Sequence, residues 1–344
     1  MAIEFRKEVV HSRFLDPSQQ FAEVEYNFEV RTDPLTGKSS YVYQLGNIAM
    51  PQKKDLSSLI QKSLDRGCPF CPQAFEQNTP KFVAALIPQG RLWQGEACIF
   101  PNIRPYAPYG AICVPSRQHF IGLLDFTEEV LTNALMACQA YLRRVGEYDS
   151  SVKYSNIGWN YMPFSGGSQV HPHLHVQAGQ FPATQQKELL AASQQYYLTN
   201  GTNFWSDLIT EEKQLGERYI EETGNICWLT CFAPRGRLLD ILGIFQHRDS
   251  LLDVPEQEFR NFTSGLKRVF KYLDDQNFYS FNLTINSGLA GDDYFWTQAR
   301  ITPRLVFTEL DVSDCTFQQW LQDVYLVARY PEDICQEVKK YFND

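Results

Sequence analysis

The segment His171-Pro-His-Leu-His-Val-Gln177 carries three of the chain's six histidines, spaced two apart. On an extended segment that spacing sets the three rings on one face, because strand side chains alternate with period two. Imidazole ligates metals and is nucleophilic near neutral pH, so such a row suits a site that holds a metal, attacks phosphorus, or does both. A strand of merely hydrogen-bonded histidines is the plain alternative. Ser165-Gly-Gly-Ser168 runs straight into the row. It is a flexible turn rich in backbone N–H donors, able to cradle an anion such as phosphate.

Cys68-Pro-Phe-Cys71 is the second chemical feature. A Cys-x-x-Cys pair serves zinc sites and thiol redox centres alike, and structural zinc needs two further ligands. A redox role calls for a thioredoxin-like βαβ context, which the surrounding pattern lacks.

The Gly-containing loop joined to a His-x-His-x-His row resembles the histidine-triad (HIT) superfamily. More closely, Gly166-Gly-Ser-x-x-His-Pro-His173 resembles its galactose-1-phosphate uridylyltransferase branch, which carries Gly-x-Ser-x-x-His-Pro-His-x-Gln. The resemblance makes His173 the nucleophile, with Ser168, Gly166 and Gly167 on the phosphate. It also implies one structural zinc held by Cys68, Cys71, His119 in Pro115-Ser-Arg-Gln-His119, and His171, and a homodimer. Phe100-Pro-Asn-Ile-Arg-Pro105 resembles the family segment lining the base and ribose pocket, which nominates Asn102; Asn156 and Asn160 are further polar candidates before the Gly-Gly turn.

The elements that must position these residues read as two copies of one pattern. Pro115-Ser-Arg-Gln-His-Phe-Ile-Gly-Leu-Leu-Asp125 is echoed by Phe245-Gln-His-Arg-Asp-Ser-Leu-Leu-Asp253. Each precedes a helical pattern, apolar at Leu131, Leu135 and Tyr141 in one and at Phe262, Leu266, Val269 and Tyr272 in the other. Upstream, Pro105-Tyr-Ala-Pro-Tyr-Gly110 is echoed by Cys231-Phe-Ala-Pro-Arg-Gly236; downstream, Tyr154-Ser-Asn156 by Tyr279-Ser-Phe-Asn282. The expected fold class is α+β and HIT-like: two tandem modules, each an antiparallel sheet with packed helices. Residues 1–182 form the module with the zinc site and the His-Pro-His motif. Residues 183–344 hold a connecting helical stretch, over 183–225, and a degenerate second module. In it Gln298 aligns with His171 and Arg300 with His173; His247 alone survives, so no second metal is expected.

Composition sets the outer bounds. A chain of 344 residues with 44% apolar content can bury one large core or two smaller ones. The formal charge of −9 argues against nucleic acid or a membrane surface as partner. No apolar run approaches the roughly 18 to 20 residues that span a bilayer, and the opening residues lack a secretory apolar region. Nine cysteines at scattered spacing fit reduced thiols and one metal pair, so the expected compartment is the cytoplasm.

Departures from the family pattern bear on the substrate. Resemblance begins at Arg31-Thr-Asp-Pro-Leu-Thr-Gly-Lys38, but the Arg-rich segment that follows in uridylyltransferases is here Tyr43-Gln-Leu-Gly-Asn-Ile-Ala-Met50. The family's Lys-x-x-x-Gly-Tyr-Glu region for hexose phosphate has no counterpart; Phe317-Gln-Gln-Trp-Leu-Gln-Asp-Val-Tyr325 stands in its place. His175 replaces the family Gln, and Gln falls at 177, a feature of triad hydrolases. The expected chemistry is ping-pong nucleotidyl transfer from a nucleoside diphosphate sugar or related nucleotide to phosphate or a phosphorylated acceptor other than galactose 1-phosphate, with His175 stabilising charge on the phosphoryl oxygens. Phosphorolysis or hydrolysis of an ADP-sugar or dinucleoside polyphosphate uses the same nucleophile. A zinc-stabilised nucleotide-binding protein without activity is the alternative from another class.

Overall fold

The computed structural model describes residues 3–44, 52–307 and 312–343. Residues 45–50 of the segment that replaces the family's arginines lie outside them. A long hairpin, β1 (Lys7–Asp16) and β2 (Ala22–Thr32), is followed by β3 (Ser39–Val42), α1 (Ser57–Asp65) and α2 (Pro72–Asn78). Then come β4 (Leu92–Gln94), β5 (Ala97–Pro101), β6 (Ala111–Val114), α3 (Glu128–Tyr148), β7 (Tyr154–Tyr161) and β8 (Leu174–Gly179). Helices α4 (Thr184–Asn200) and α5 (Phe204–Leu215) lead to β9 (Tyr219–Thr223), β10 (Ile226–Thr230), β11 (Ile241–Phe245), α6 (Glu256–Asp275), β12 (Phe281–Asn286) and β13 (Gln298–Pro303). The chain closes with β14 (Val306–Phe307), β15 (Val312–Ser313), α7 (Phe317–Leu321), β16 (Tyr325–Val327) and α8 (Pro331–Lys339).

The two long helices form where the apolar spacing requires them. Thr127 caps α3 by accepting the Val130 N–H, and Glu128 and Glu129 favour its positive N-terminal end. Pro255, unable to donate an N–H, stands at the start of α6. Their apolar stripes are buried on the same face of the main sheet, and the helices meet where the Thr132 and Thr263 hydroxyls bond at 3.0 Å.

Strand pairing corrects the expectation of two separate sheets. Ten strands form one sheet in the order β4-β5-β6-β8-β7-β12-β13-β11-β10-β9. The join is β7 against β12, pairing Asn160 with Asn282, Gly158 with Thr284 and Asn156 with Asn286. Each half would otherwise end in an exposed edge there, and joining them satisfies both rows of backbone groups. Every pair in this sheet is antiparallel. The smaller sheet β1-β2-β3-β16 departs from that pattern, since β16 runs parallel to β3.

From the β7–β12 join outward the pairing repeats. Leu174 lies between Cys113 and Trp159, as Ala299 lies between Gly243 and Ile285. The outer hairpins turn on Gly95 and Gly224, both with positive φ, where a side chain would be strained. This register makes Arg300 the counterpart of His175, Thr302 of Gln177 and Gln298 of His173. The sequence alignment, which set Arg300 at His173 and Gln298 at His171, is therefore displaced by two residues. A slip of two leaves every side chain on its own face, so an alternating pattern cannot detect it; backbone hydrogen bonds can.

Candidate active site and metal centre

The histidine row sits where a loop becomes a strand. Only His175 belongs to β8; His171 and His173 precede it. Pro172 between them has no N–H to give a ladder, so pairing begins one residue beyond His173. The rings nonetheless stay close, His173 and His175 having centroids 5.2 Å apart.

His173 is almost wholly buried, and its Nδ1 lies 2.9 Å from the His171 carbonyl. A carbonyl only accepts, so Nδ1 carries the proton and the lone pair is left on Nε2. Burial pushes the His173 pKa down to about 4 and also lowers that of His175. A neutral ring with a free nitrogen is what nucleophilic attack requires. Phe70 packs on the ring, with centroids 5.4 Å apart.

His171 is oriented the other way round. Its Nε2 donates to the Ser116 carbonyl at 2.9 Å, and Nδ1 faces Cys68 Sγ at 3.7 Å and Cys71 Sγ at 3.8 Å. His119 presents Nδ1 to Cys71 Sγ at 3.3 Å, while its Nε2 meets the Ser63 hydroxyl at 2.6 Å; that hydroxyl donates onward to the Ile60 carbonyl. One potential ligand atom from each of Cys68, Cys71, His119 and His171 lies within 4.8 Å of the others. Two sulfurs and two imidazoles of fixed tautomer are a donor set that fits a metal ion. Burial, then the neighbouring Cys68, pushes the Cys71 thiol up to about 11, a penalty that a bound cation would reverse. Burial likewise pushes His171 down to about 4 and lowers His119.

The Gly-Gly loop is held from below. Ser165 donates its hydroxyl to the carbonyls of Tyr161 and Met162, and Gly167 N–H bonds to the Met162 carbonyl. A Cβ on Gly167 would meet the Asn160 carbonyl oxygen at 2.7 Å, so the position excludes side chains. Gly166 has φ +93°. Both Gly166 and Ser168 are exposed.

Beside the histidines, a cavity of about 370 Å³ opens on the same sheet face. The first half contributes Asn156, Asn160, His175, Gln177 and Tyr106; the second contributes Asn282, Thr284, Arg300 and Thr302. Asn102 lies apart from this cavity, at the end of β5, where its Oδ1 accepts the Arg104 N–H at 3.1 Å. Ser63, Ser116, Phe70 and the second-half residues escaped the sequence reading. Ser116 stood inside the quoted Pro-Ser-Arg-Gln-His motif and Asn282 inside the Tyr-Ser-Phe-Asn echo, but no spacing rule shows that a carbonyl or a distant strand faces a histidine.

Among the described residues, the second half has no comparable donor set at the corresponding place. Trp296 stands at the position of His171, and His247 packs on it with centroids 4.7 Å apart, as His119 packs on His171 at 5.8 Å. The surrounding space is filled by Phe204, Trp205, Leu229, Leu242 and Phe295.

Comparison with known proteins was made on sequence and on fold. No family model matches the chain. An uncharacterized protein of Archaeoglobus fulgidus is 29% identical, with 99% of this chain and 100% of that protein covered. An ADP-glucose phosphorylase from Arabidopsis thaliana, solved with bound ADP-glucose, superposes with TM-score 0.70 at 16% identity, covering 91% of this chain and 99% of that one. A galactose-1-phosphate uridylyltransferase-like protein from Arabidopsis thaliana gives TM-score 0.69 at 15% identity, with 90% and 98% covered. A uridylyltransferase structure gives 0.67 at 17%, with 91% and 98% covered. Among the described residues no helix is long and apolar enough to cross a membrane. The chain thus shares its fold, mixed α/β with antiparallel strands, with the galactose-1-phosphate uridylyltransferase-like protein, the ADP-glucose phosphorylase and the uridylyltransferase.

Proposed function

We propose that this protein is a nucleotidyltransferase that works through a nucleotidyl-histidine intermediate. The observation that carries the reading is the His173 Nδ1 hydrogen bond to the His171 carbonyl, which leaves a neutral ring with its lone pair on Nε2. Nε2 attacks the α-phosphorus of a nucleoside diphosphate sugar; a P–N bond forms as the bond to the leaving phosphate oxygen breaks. In the second half-reaction an acceptor oxygen attacks the same phosphorus, and the electron pair of the P–N bond returns to His173. The Gly166 and Gly167 N–H groups are taken by the Pro163 and Met162 carbonyls, so Ser168 and His175 neutralise the equatorial oxygens while the two glycines let the loop approach them, and Gln177 and the asparagines bind substrate.

Cys68, Cys71, His119 and His171 would hold one zinc ion. Bound by four protein donors it would serve structure, fixing His171 and hence the carbonyl that orients His173. The architecture is two tandem HIT-like modules, residues 1–182 and 183–344, the second without a nucleophile. A homodimer in the cytoplasm completes the reading.

The second reading is phosphorolysis, with inorganic phosphate as acceptor. It is favoured by the loss of the family's Lys and Glu near Phe317–Tyr325, and a phosphorylase of ADP-glucose shares the fold. The test is incubation with radiolabelled UDP-glucose, ADP-glucose or a dinucleoside tetraphosphate, followed by an alkaline quench. Acid-labile label on wild-type protein, absent from a folded His173→Ala, is expected. Turnover by His173→Ala would remove the mechanism, and a protein that binds nucleotide without acquiring label is a binder only. Discharge of the labelled protein by a panel of acceptors then separates the two readings, with galactose 1-phosphate expected to be a poor one.

A further inference from the structure

We infer that the free edge of β1 pairs with β1 of a second copy of this chain, antiparallel about a two-fold axis at Ser12, and so joins two four-stranded sheets into one. The inference does not depend on the nucleotidyl-transfer reading; it assigns a surface to the homodimer.

The β1–β2 hairpin keeps an unbroken register from Lys7 opposite Arg31 to Asp16 opposite Ala22. Its ten residues per strand span about 33 Å, and β1 is the outermost strand of its sheet. An edge of that length turns a row of backbone N–H and C=O groups outward, which chains ordinarily blunt with a proline, a bulge or a short strand. β1 has none of these. Val9, Phe14, Leu15 and Tyr26 are exposed besides. One face of the ribbon pairs Val10 with Phe28, Ser12 with Tyr26 and Phe14 with Val24. The other is ionic, with His11 and Arg13 both bonded to Glu25 and Lys7 to Glu29. A two-stranded ribbon is only marginally stable in water by itself, and exposed apolar groups on it mark a contact surface.

The sequence of β1 selects its own copy and the register. A two-fold axis normal to the sheet keeps every side chain on its own face, so the axis must pass through a residue. With the axis at Val10, Lys7 meets the partner's Arg13; at His11, Glu8 meets the partner's Phe14; at Arg13, two guanidinium groups oppose each other. At Ser12 the strand matches itself. Val9 meets the partner's Leu15, Val10 meets the partner's Phe14, and the small Ser12 side chains face each other on the axis. His11 meets the partner's Arg13, each already held by its own Glu25. Glu8 opposite the partner's Asp16 is the one unfavourable pair, and Asp16 is already shielded by the Ser18 N–H and hydroxyl. Val10 then stands between its own Phe28 and the partner's Phe14, so an apolar row crosses the junction on each side of the axis.

The test is the mass of the full-length protein by sedimentation over a concentration series. A dimer is expected, and Phe14→Lys should raise its dissociation constant by about 100-fold, roughly tenfold for each copy of that side chain. The double variant Val10→Glu/Phe14→Lys sets opposite charges across the axis and should recover most of that loss. Ser12→Cys should cross-link to itself under mild oxidation, whereas Gln19→Cys, beyond the paired stretch, should not; this arm decides even where Phe14→Lys fails to fold. A monomer at every concentration overturns the inference, as does a Ser12→Cys protein that stays uncross-linked. A dimer of unchanged affinity in Phe14→Lys also overturns it, leaving the homodimer on another surface. Nucleotide label on His173 bears on the transfer reading alone.

Discussion

Asn282, on β12 of the second half, donates its Nδ2 hydrogens to the Ser165 carbonyl at 2.9 Å and to Asn160 Oδ1 at 2.7 Å, so the second half holds the loop that precedes His173. Arg304 completes the chain of contacts, donating to Asn282 Oδ1 at 2.8 Å while paired with Asp314. Asn282→Ala should therefore slow single-turnover labelling of His173 by roughly 5- to 10-fold, the equivalent of about 1 kcal/mol for one hydrogen bond. The melting temperature should fall by only a few degrees. An unchanged labelling rate would mean that the loop holds its shape without the second half.

Gly167→Ala tests the same loop from inside. The new Cβ would sit 2.7 Å from the Asn160 carbonyl and 3.0 Å from that of Met162, both backbone atoms that cannot rotate away. A loop displacement costing about 1–3 kcal/mol is expected, with labelling reduced far more than nucleotide affinity. Wild-type labelling in this variant would show that the loop need not approach the phosphate closely.

Metal content gives a third expectation. Elemental analysis should find one zinc per chain, and Cys68→Ser should lower both the zinc content and the melting temperature, since ligand binding energy is folding energy. Because Cys71 in the metal-free protein is pushed up to about 11, uptake must expel protons. Apparent zinc affinity should fall by at least about tenfold per pH unit from pH 8 to pH 6. Flat affinity over that interval would exclude Cys71 as a ligand.

The buried histidines set a pH dependence of stability. His171 and His173 are pushed down to about 4 in the folded chain, against about 6.5 when unfolded. Between those values the unfolded chain binds more protons, so stability falls as pH drops from 6.5 toward 4. The loss for metal-free protein is of order a few kcal/mol, read as the shift in urea midpoint between pH 7 and pH 5. His173→Asn should show a smaller shift; an equal one would place the dependence elsewhere.

The sequence by itself determined the parts whose reasons are local. The stripes of α3 and α6 follow from apolar spacing, the turn before His171 from its glycines, and the candidate donors Cys68, Cys71, His119 and His171 from residue type and family resemblance. Tertiary structure decided the relations with no local trace. Hydrogen bonding alone fixed the register that makes Arg300 the counterpart of His175, since a slip of two keeps the same face. Packing decided that β7 and β12 join two sheets into one, and that Trp296 fills the place corresponding to His171. The tautomer of His173 was also invisible in the sequence, because it depends on which backbone carbonyl lies 2.9 Å from Nδ1, and a chain of letters carries no distances.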